Sequence, residues 1–486
     1  MFMNLLIVLP LIIPILGVIF LIKFRKRESF TSYILITTAV ITFLSVLILY
    51  PFIIVNEETL FLALESVLLF GISFRIDVLA FFLALVVSFI WILTVIYSLE
   101  YMKSNHRKLR FYIILLLNLA GTLGFFFAGD ILTMFIFFEL LTILSYLLVI
   151  QEESPAALKA GNRYIFLSIA AGLGLLFSII ITYINNPSLN FVNGGIINVS
   201  SPMISIAFFV YILSFGIKAG IFPFHVWLPE AHPSAPSPAS AILSGVMIKI
   251  GAYGMLRTMY NLYNIDLIQS MGWNKVLLIL AAISIFLGSA AALFEKDIKR
   301  RLAYSSIGQM GYILLGMSLI NEFALIGDIF HIFSHIIMKT CLFLAAGAII
   351  YKTGIRDITK MAGIGKKMPI TMLSFTIAAL AMIGIPPMIG FISKWELSLG
   401  AMQANYPIYV VLLLLSSLMN AIYYLPIIIN AFFTKSENVD YSYNEVPWKM
   451  LYPMVVLASS TFVFNLLPKN IPLALAKKAA AILFTR

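Results

Sequence analysis

Long apolar segments dominate this sequence and limit the folds that it can adopt. About fourteen runs hold roughly 20 predominantly apolar residues each, the length that a helix needs to cross the hydrocarbon core of a bilayer. With 62% hydrophobic and 11% charged residues over 486 positions, the chain has too little polar surface for a soluble domain. We therefore predict an all-α polytopic membrane protein with about 14 transmembrane helices. The predicted spans are 3–22, 31–53, 77–100, 111–128, 131–150, 162–185, 203–224, 239–262, 275–294, 303–320, 323–350, 370–398, 406–433 and 450–467.

Basic residues fall in alternate connections between these spans. The connections 187–202, 321–322 and 399–405 hold no lysine or arginine. The positive-inside rule places the basic set in the cytoplasm of a cell membrane, so we expect both termini outside. The net charge of +11 then serves topology, and no nucleic acid partner is expected. The basic residues of this set are Lys23, Arg25, Lys26, Arg27, Lys103, Arg107, Lys108, Arg110, Lys159, Arg163, Lys296, Lys299, Arg300, Arg301, Lys352, Arg356, Lys360, Lys366, Lys367, Lys435 and Lys449.

The two ends of the chain carry further signals. The first segment, up to Ile22, is long enough to span and is followed by basic residues, so we expect it to stay in the protein and not to be removed as a signal peptide. Near the other end, ALAKKAAAILF has the pattern of an amphipathic helix that lies on a surface or on a partner. Lys469, Lys477, Lys478 and Arg486 depart from the charge rule because they fall on the outer side.

Two predicted spans are interrupted by proline and glycine. The seventh ends at Pro223, and the twelfth holds Gly384, Pro386, Pro387 and Gly390 in its middle. Proline removes a backbone donor and clashes with the preceding turn. Broken helices persist in membranes where they line a cavity enclosed by protein, and a pair of them is typical of a transporter with its site near the midplane. Ordinary proline kinks without a function are the alternative.

Two lysines lie in otherwise apolar runs on either side of a proline-rich stretch. Lys218 lies near the end of the seventh span, and Lys249 lies in the middle of the eighth. An ionisable residue at membrane depth indicates a functional site, because burying its charge is costly. The alternative is that the lysine side chain extends to the headgroups, which fits Lys218 better than Lys249 because Pro223 closes the helix soon after Lys218.

The fifth span holds a single carboxylate. Glu139 is surrounded by apolar residues in LTMFIFFELLTILSYLL. A lone buried carboxylate takes up a proton unless a cation pairs with it. Lys218 is the natural partner, and we predict that the two form a pair.

The eleventh span carries three protonatable groups on one face. His331, His335 and Lys339 are spaced four residues apart, which stacks them over about 12 Å of helix. This pattern favours a proton relay. The alternatives are a haem with one histidine ligand, a polar contact between helices and a metal held by the histidine pair.

Together these groups predict a chain of proton carriers that ends at Lys394, beyond the break in the twelfth span. Desolvation disfavours the charged form of a lysine and a nearby carboxylate favours it, so pairing can switch its proton. The sequence has neither GxxxxGK[ST] nor GxGxxG in a strand–helix context, so no nucleotide is expected to bind. Cys341 is the single cysteine, which excludes a cysteine-ligated iron–sulfur cluster within this chain. We expect no cofactor or metal here, and any redox centre must belong to a partner.

Four motifs in one order resemble a known family. They are the stretch from Gly216 to Gly254, the FFEL around Glu139, HIFSHIIMKTCLFLAAG from His331 to Gly347, and GFISKWE around Lys394. Together they resemble the antiporter-like proton-translocating subunits shared by respiratory complex I, energy-converting membrane-bound hydrogenases and Mrp cation/proton antiporters. The resemblance covers essentially the whole chain.

The resemblance implies an organisation and a set of roles. Within a single membrane domain, 1–486, it implies helices 1–3 in 1–110, two inverted five-helix repeats in 111–262 and 263–433 with broken helices 7 and 12, and helix 14 with the tail in 434–486. It implies a glutamate–lysine pair, a central lysine, histidines in the eleventh helix, and a terminal lysine or glutamate. These roles match Glu139, Lys218, Lys249, His331, His335 and Lys394.

The branch of the family decides between two functions. HVWLPEAHPSAPSPAS resembles subunit 4 of complex I and the hydrogenase subunits, but Lys394 stands where many subunit 4 chains have glutamate. The first hypothesis is therefore a subunit of a redox-driven hydrogenase or sulfur reductase that translocates protons, with sodium as the alternative ion, and that works with other membrane subunits and a peripheral redox module. The alternative is a subunit of a gradient-driven Mrp-type antiporter. A purely structural membrane subunit is the third hypothesis.

Overall fold

The computed structural model describes residues 2–65, 70–105, 107–434, 444–467 and 471–484, and most of them are helical. Lys435, Lys469 and Arg486, which belong to the charge pattern above, lie outside the described residues. The α-helices are α1 (Phe2–Lys23), α2 (Glu28–Leu47), α3 (Val78–Tyr101), α4 (Lys108–Phe127), α5 (Ile131–Val149), α6 (Pro155–Asn185), α7 (Pro202–Ala219), α8 (Leu228–Ser234), α9 (Ser237–Ile242), α10 (Ile248–Arg257), α11 (Ile265–Ser270), α12 (Trp273–Phe294), α13 (Ile298–Ser318), α14 (Glu322–Thr353), α15 (Ile364–Lys367), α16 (Pro369–Ile383), α17 (Ile389–Gln403), α18 (Pro407–Phe433), α19 (Trp448–Leu466) and α20 (Ile471–Phe484).

Twelve helical segments in the described ranges are long and apolar enough to cross a membrane, and each overlaps one predicted span. The other two predicted spans take different forms. The span 303–320 is α13, whose first turn carries Lys299, Arg300 and Arg301, and the span 370–398 is divided between α16 and α17. The polytopic helical fold is thus confirmed, whereas the total of about fourteen crossings and the inverted repeats stay predictions.

A two-stranded hairpin between α2 and α3 departs from the all-α prediction. β1 (Leu60–Leu64) pairs antiparallel with β2 (Ile72–Ile76), and Leu60 lies opposite Ile76. Burial alternates along β1, as in a strand with one covered face. The segment is too short to cross a membrane as a helix, so pairing with a neighbouring strand satisfies its backbone groups.

The seventh span is interrupted as the sequence predicts. Helix α7 ends at Ala219, and Gly220 follows with φ of 69°, a left-handed conformation that glycine adopts without steric cost. A 3₁₀ turn (Phe224–Trp227) and the short helix α8 continue the chain after Pro223. The break therefore separates Lys218, in the last turn of α7, from the proline-rich stretch.

The twelfth span is broken in its middle. Helix α16 ends at Ile383, Gly384 follows with φ of 91°, and α17 begins only at Ile389. The last carbonyls of a helix have no partner within the helix, so this break presents free acceptors inside the bundle. The predicted interruption is confirmed.

Two helical segments are enclosed by protein along their whole apolar length. They are Ser237–Leu262, which joins α9 and α10, and α14. In the first segment, π-helical turns at Leu243–Met247 and Thr258–Leu262 flank α10. The enclosed helix therefore has irregular backbone on both sides of Lys249. Such π turns change the hydrogen-bond register and are frequent at functional sites.

A buried ion pair joins α3 to the end of the eighth span. The Arg257 guanidinium donates to both carboxylate oxygens of Asp77 at 2.7 Å, and the two side chains are 1% and 2% exposed. Arg257 also donates to the hydroxyl of Tyr253 and to the side-chain oxygen of Asn261. Asp77 in turn caps α3 by accepting from the backbone N–H of Ala80. This network fixes the two helices relative to each other.

We expect Asp77→Asn to destabilise the protein by about 3–5 kcal/mol, because removing one partner leaves the other charge buried and unpaired. The measurement is thermal unfolding of the purified protein in detergent. Glu57→Gln is the matched control, since Glu57 pairs with Lys478 at an exposed position and such pairs contribute less than about 1 kcal/mol. Equal shifts in the two variants would contradict the structural importance of the buried pair.

Candidate functional site

Lys218 is held by hydroxyl groups. Its Nζ atom donates to Thr142 Oγ1 at 3.2 Å and to Tyr164 Oη at 2.5 Å. It also lies 5.4 Å and 5.1 Å from the ring centres of Phe138 and Tyr164. The residue is 2% exposed. Lys218 therefore does not extend to the headgroups, and its charge stays inside the bundle.

Glu139 does not form the predicted direct pair with Lys218. Among the described residues, no ion pair joins the two, and Glu139 Oε1 is buried without a hydrogen-bond partner. Thr142, one helical turn after Glu139, receives the Lys218 hydrogen bond instead, and the two charges interact at longer range. The Glu139 carboxylate packs directly against Gly172 of α6, where a β-carbon would clash with Oε1. Hydroxyl groups thus stand where a direct salt bridge was expected.

Lys249 is completely buried in the enclosed eighth span. Its Nζ atom donates to the backbone oxygen of Ser244 at 2.7 Å, within the π turn that precedes α10. The Ser244 hydroxyl lies 2.9 Å from that of Ser306 in α13. The irregular turn therefore supplies the acceptor for the ammonium group and connects it to the next helix.

Lys339 lies on α14 and reaches two neighbouring helices. Its Nζ atom donates to the backbone oxygen of Leu302 at 2.8 Å, to the hydroxyl of Ser305, and to Tyr424 Oη at 3.5 Å. Ser305 and Tyr424 also bond to each other at 2.8 Å. Lys339 is thereby fixed between α13 and α18.

The two histidines of α14 stack as their spacing predicts. The rings of His331 and His335 are parallel to within 8°, with centres 5.8 Å apart. His331 Nδ1 lies 2.9 Å from the Ser393 hydroxyl. In the described part of the chain, His331 Nε2 and both nitrogens of His335 have no hydrogen-bond partner. No three His, Cys, Asp or Glu side chains converge as a metal site requires within the described ranges.

Lys394 occupies the break in the twelfth span. Its Nζ atom donates to the backbone oxygens of Met382 at 3.0 Å and Ile383 at 2.8 Å, and to Ser417 Oγ at 2.8 Å. These carbonyls end α16, where the helix dipole also favours a cation. Ser393, the preceding residue, contacts His331. The broken helix therefore brings Lys394 next to the face of α14 that carries the histidines.

The seven residues singled out from the sequence thus fall into two groups. Glu139 and Lys218 lie on α5 and α7, and the other five lie around α14. Helices α7 and α10 approach closely, since a β-carbon at Gly251 would be 2.5 Å from the backbone nitrogen of Ala219. Lys249, His335 and Lys339 are near enough to one another for their charges to interact, and so are His331 and Lys394.

Sequence reasoning missed several buried polar residues in the same region. Asp328, Gln309 and His232 are fully or almost fully buried, and their side-chain polar atoms have no partner in the described ranges. Lys299 is buried and donates to the backbone oxygen of Ala235, where α8 ends. The spacing of Asp328 from His331 was a usable signal, because three residues place both on one helix face.

A comparison with protein-family models identifies the fold's relatives. Residues 128–420 match the family described as NADH:quinone oxidoreductase/Mrp antiporter, TM, and residues 65–112 match the complex I chain 5 N-terminus. The chain belongs to this family. The matched region includes every candidate site residue from Glu139 to Lys394.

Curated relatives come from three kinds of complex. The N-type subunit of the NADH-quinone oxidoreductase of Desulforudis audaxviator is 33% identical over 82% of this chain and 83% of its own. The D-type subunit of the Na(+)/H(+) antiporter of Alkalihalophilus pseudofirmus is 30% identical over 95% of this chain and 94% of its own. Hydrogenase-4 component B of Escherichia coli is 35% identical over 67% of this chain and 50% of its own. The chain is an antiporter-like membrane subunit homologous to all three.

Solved structures give the same fold. A chain of the Mrp complex from Dietzia superposes with a TM-score of 0.90 at 22% identity, over 100% of this chain and 98% of its own. A chain of the membrane-bound sulfane sulfur reductase, an archaeal respiratory membrane complex, superposes with a TM-score of 0.88 at 26% identity, over 99% and 97%. Both belong to multi-subunit membrane complexes, which supports other membrane subunits as partners.

We expect Gly384→Ala to disturb Lys394 specifically. The new β-carbon would lie 3.0 Å from Lys394 Cδ and 3.3 Å from Nζ, and left-handed backbone costs a residue other than glycine about 1–2 kcal/mol. Gly354→Ala is the matched control, because it has φ of 69° but nothing within 4 Å of the new β-carbon. Both variants should lose similar thermal stability, whereas ion uptake into vesicles should fall only for Gly384→Ala. Equal uptake in the two variants would contradict the prediction.

Proposed function

We propose that this chain is the proton-translocating subunit of a redox-driven membrane complex of the hydrogenase or sulfur reductase kind. The observation that carries the proposal is the row of buried lysines and histidines, each hydrogen-bonded or stacked at membrane depth. Four fully or almost fully buried lysines, Lys218, Lys249, Lys339 and Lys394, are an expensive feature that helix packing alone does not require. Sodium is the second candidate ion.

The proposed path enters at the pair of charges on α5 and α7. Lys218 donates hydrogen bonds to the hydroxyls of Thr142 and Tyr164, and the charge of Glu139 acts on Lys218 from a longer distance. A change in the ionisation of Glu139 alters how strongly Lys218 holds its proton. In this role Glu139 is a switch and Lys218 is the first carrier.

The middle of the path runs through Lys249, His335 and His331, with Lys339 beside it. Proton transfer requires carriers within hydrogen-bond reach or joined by water. The unpartnered nitrogens of His335 and His331 are the atoms at which such water would bond. The path then reaches Lys394 through Ser393, at the break between α16 and α17.

We further propose that both termini face outward, that a peripheral redox module supplies the energy, and that the redox centres lie in that module. A gradient-driven Mrp-type antiporter is the second candidate, favoured by the similarity to the D-type antiporter subunit along nearly the whole chain. Co-purification separates the two. Iron–sulfur or nickel proteins in the isolated complex would support the redox-driven function. A complex without any redox-active protein would contradict it.

We expect Glu139→Ala and Lys218→Ala each to abolish ion uptake by the assembled complex in sealed vesicles, because the first removes the switch and the second removes the first proton carrier. Lys103→Ala is the control, because the Lys103 side chain is exposed and pairs only with Glu100, three residues earlier, among the ion pairs of the described residues. Membrane insertion is checked by immunoblotting. Uptake at the wild-type rate in both variants would show that the charges of Glu139 and Lys218 are not needed for transport.

We expect Lys249→Arg to fail almost as completely as Lys249→Ala. A guanidinium keeps its proton at every accessible pH, so the variant preserves charge but cannot act as a carrier. The measurement is proton uptake with the driving reaction recorded in parallel, and Lys352→Arg, in the last turn of α14, is the control. Uptake at the wild-type rate in Lys249→Arg would show that only the charge is needed.

A further inference from the structure

One buried carboxyl group has no place in the path described above. Asp328 of α14 is fully buried, and neither of its carboxyl oxygens has a hydrogen-bond partner in the described ranges of the chain. An isolated ionised carboxylate in an apolar interior is very costly, so the group holds a proton until a cation or water reaches it. A structural aspartate is normally hydrogen-bonded when buried, and this one is not.

Asp328 continues the ionisable face of α14. It precedes His331, His335 and Lys339 by 3, 7 and 11 residues, spacings that keep side chains on one side of a helix. The face thus has four members over about 16 Å. Asp328 is the member of this face nearest the start of α14, six residues or about 9 Å of helix from Glu322.

Neighbouring helices enclose Asp328 without neutralising it. A β-carbon at Gly316 of α13 would lie 2.7 Å from Asp328 Cβ and 2.7 Å from Leu397 of α17. Tyr260, in the π turn after α10, is near enough to interact with its charge, and the Tyr260 hydroxyl donates to the backbone oxygen of Met317 at 2.8 Å. None of these neighbours is a cation. The ionisable group that shares its helix face one turn away is His331.

We propose that Asp328 is a further proton carrier, which takes protons from His331 towards the start of α14. This inference rests on the proposed function. His331 is suited to a branch point, because Nδ1 contacts Ser393 on the way to Lys394 while Nε2 has no partner in the described ranges.

The proton balance of the step is simple. A protonated His331 supplies the cation that Asp328 lacks, so Asp328 ionises by giving its proton to a water molecule that enters from the start of α14. The proton on His331 then moves from the ring nitrogen to a carboxylate oxygen of Asp328. Both groups end neutral, and one proton has passed.

The test is Asp328→Asn in the complete complex in everted vesicles. Asparagine keeps the size and neutrality of the protonated side chain but cannot exchange a proton, so ion uptake should fall to the part that the branch through Ser393 and Lys394 carries. Glu322→Gln, exposed in the first turn of the same helix, is the control and should keep its uptake. Wild-type uptake in assembled Asp328→Asn overturns the proposal.

Two additions keep the test decisive. If Asp328→Asn does not assemble, Asp328→Leu tests the same point with an apolar side chain of similar size that cannot pass a proton. In the wild-type complex, infrared difference spectra during turnover with isotope-labelled aspartate should show a changing carboxylic acid band, and a spectrum without one overturns the proposal. Lys249→Arg is measured alongside. If both variants transport normally, the proton path of the proposed function is wrong, and if only Asp328→Asn does, the inference alone fails.

Discussion

An ammonium group inside a membrane protein needs oxygen atoms to replace its lost hydration, and this fold obtains several of them from interrupted helices. Lys394 bonds to the carbonyls that end α16, and Lys249 bonds to a carbonyl within a π turn. Arg301 likewise reaches backbone oxygens at the end of α12. Because regular helices use up most of their carbonyls internally, these three interruptions supply acceptors that a regular helix does not offer to a buried cation. The proline and glycine residues that interrupt the twelfth span therefore belong to the surroundings of Lys394.

The sequence predicts the positions of helices far better than the partners of side chains. Apolar length and prolines determine the spans and both breaks, because those features act locally along the chain. The hydrogen-bond partner of Lys218 depends on how α5 and α7 are rotated about their axes. The sequence therefore cannot decide between Glu139 and Thr142. The pair of Asp77 with Arg257 joins residues 180 positions apart, and no local pattern signals it. The hairpin was missed because its short strands resemble a loop between spans.

Two kinds of buried charge coexist in this protein, and their hydrogen bonding separates them. Arg257 and Asp77 satisfy each other through two short hydrogen bonds, and a guanidinium cannot release its proton, so this pair serves packing. His335 and Asp328 are equally buried but have polar atoms without partners in the described ranges. Unsatisfied polar atoms destabilise a fold, so several of them on one enclosed helix indicate a function outside folding. The clustering of these atoms around α14 is therefore more informative than the number of charges.

The acceptors around each lysine also set how easily it loses a proton. Lys394 donates to three oxygen atoms, whereas Lys249 donates to one in the described ranges. A hydrogen bond to a charged group contributes about 1.5–3 kcal/mol, and one charge crossing 100 mV of membrane potential is worth about 2.3 kcal/mol. Gaining or losing a single acceptor is thus comparable to the driving force across the membrane. A small movement of the α16 end relative to α17 would change the proton affinity of Lys394, so the proposed relay needs no larger motion than that.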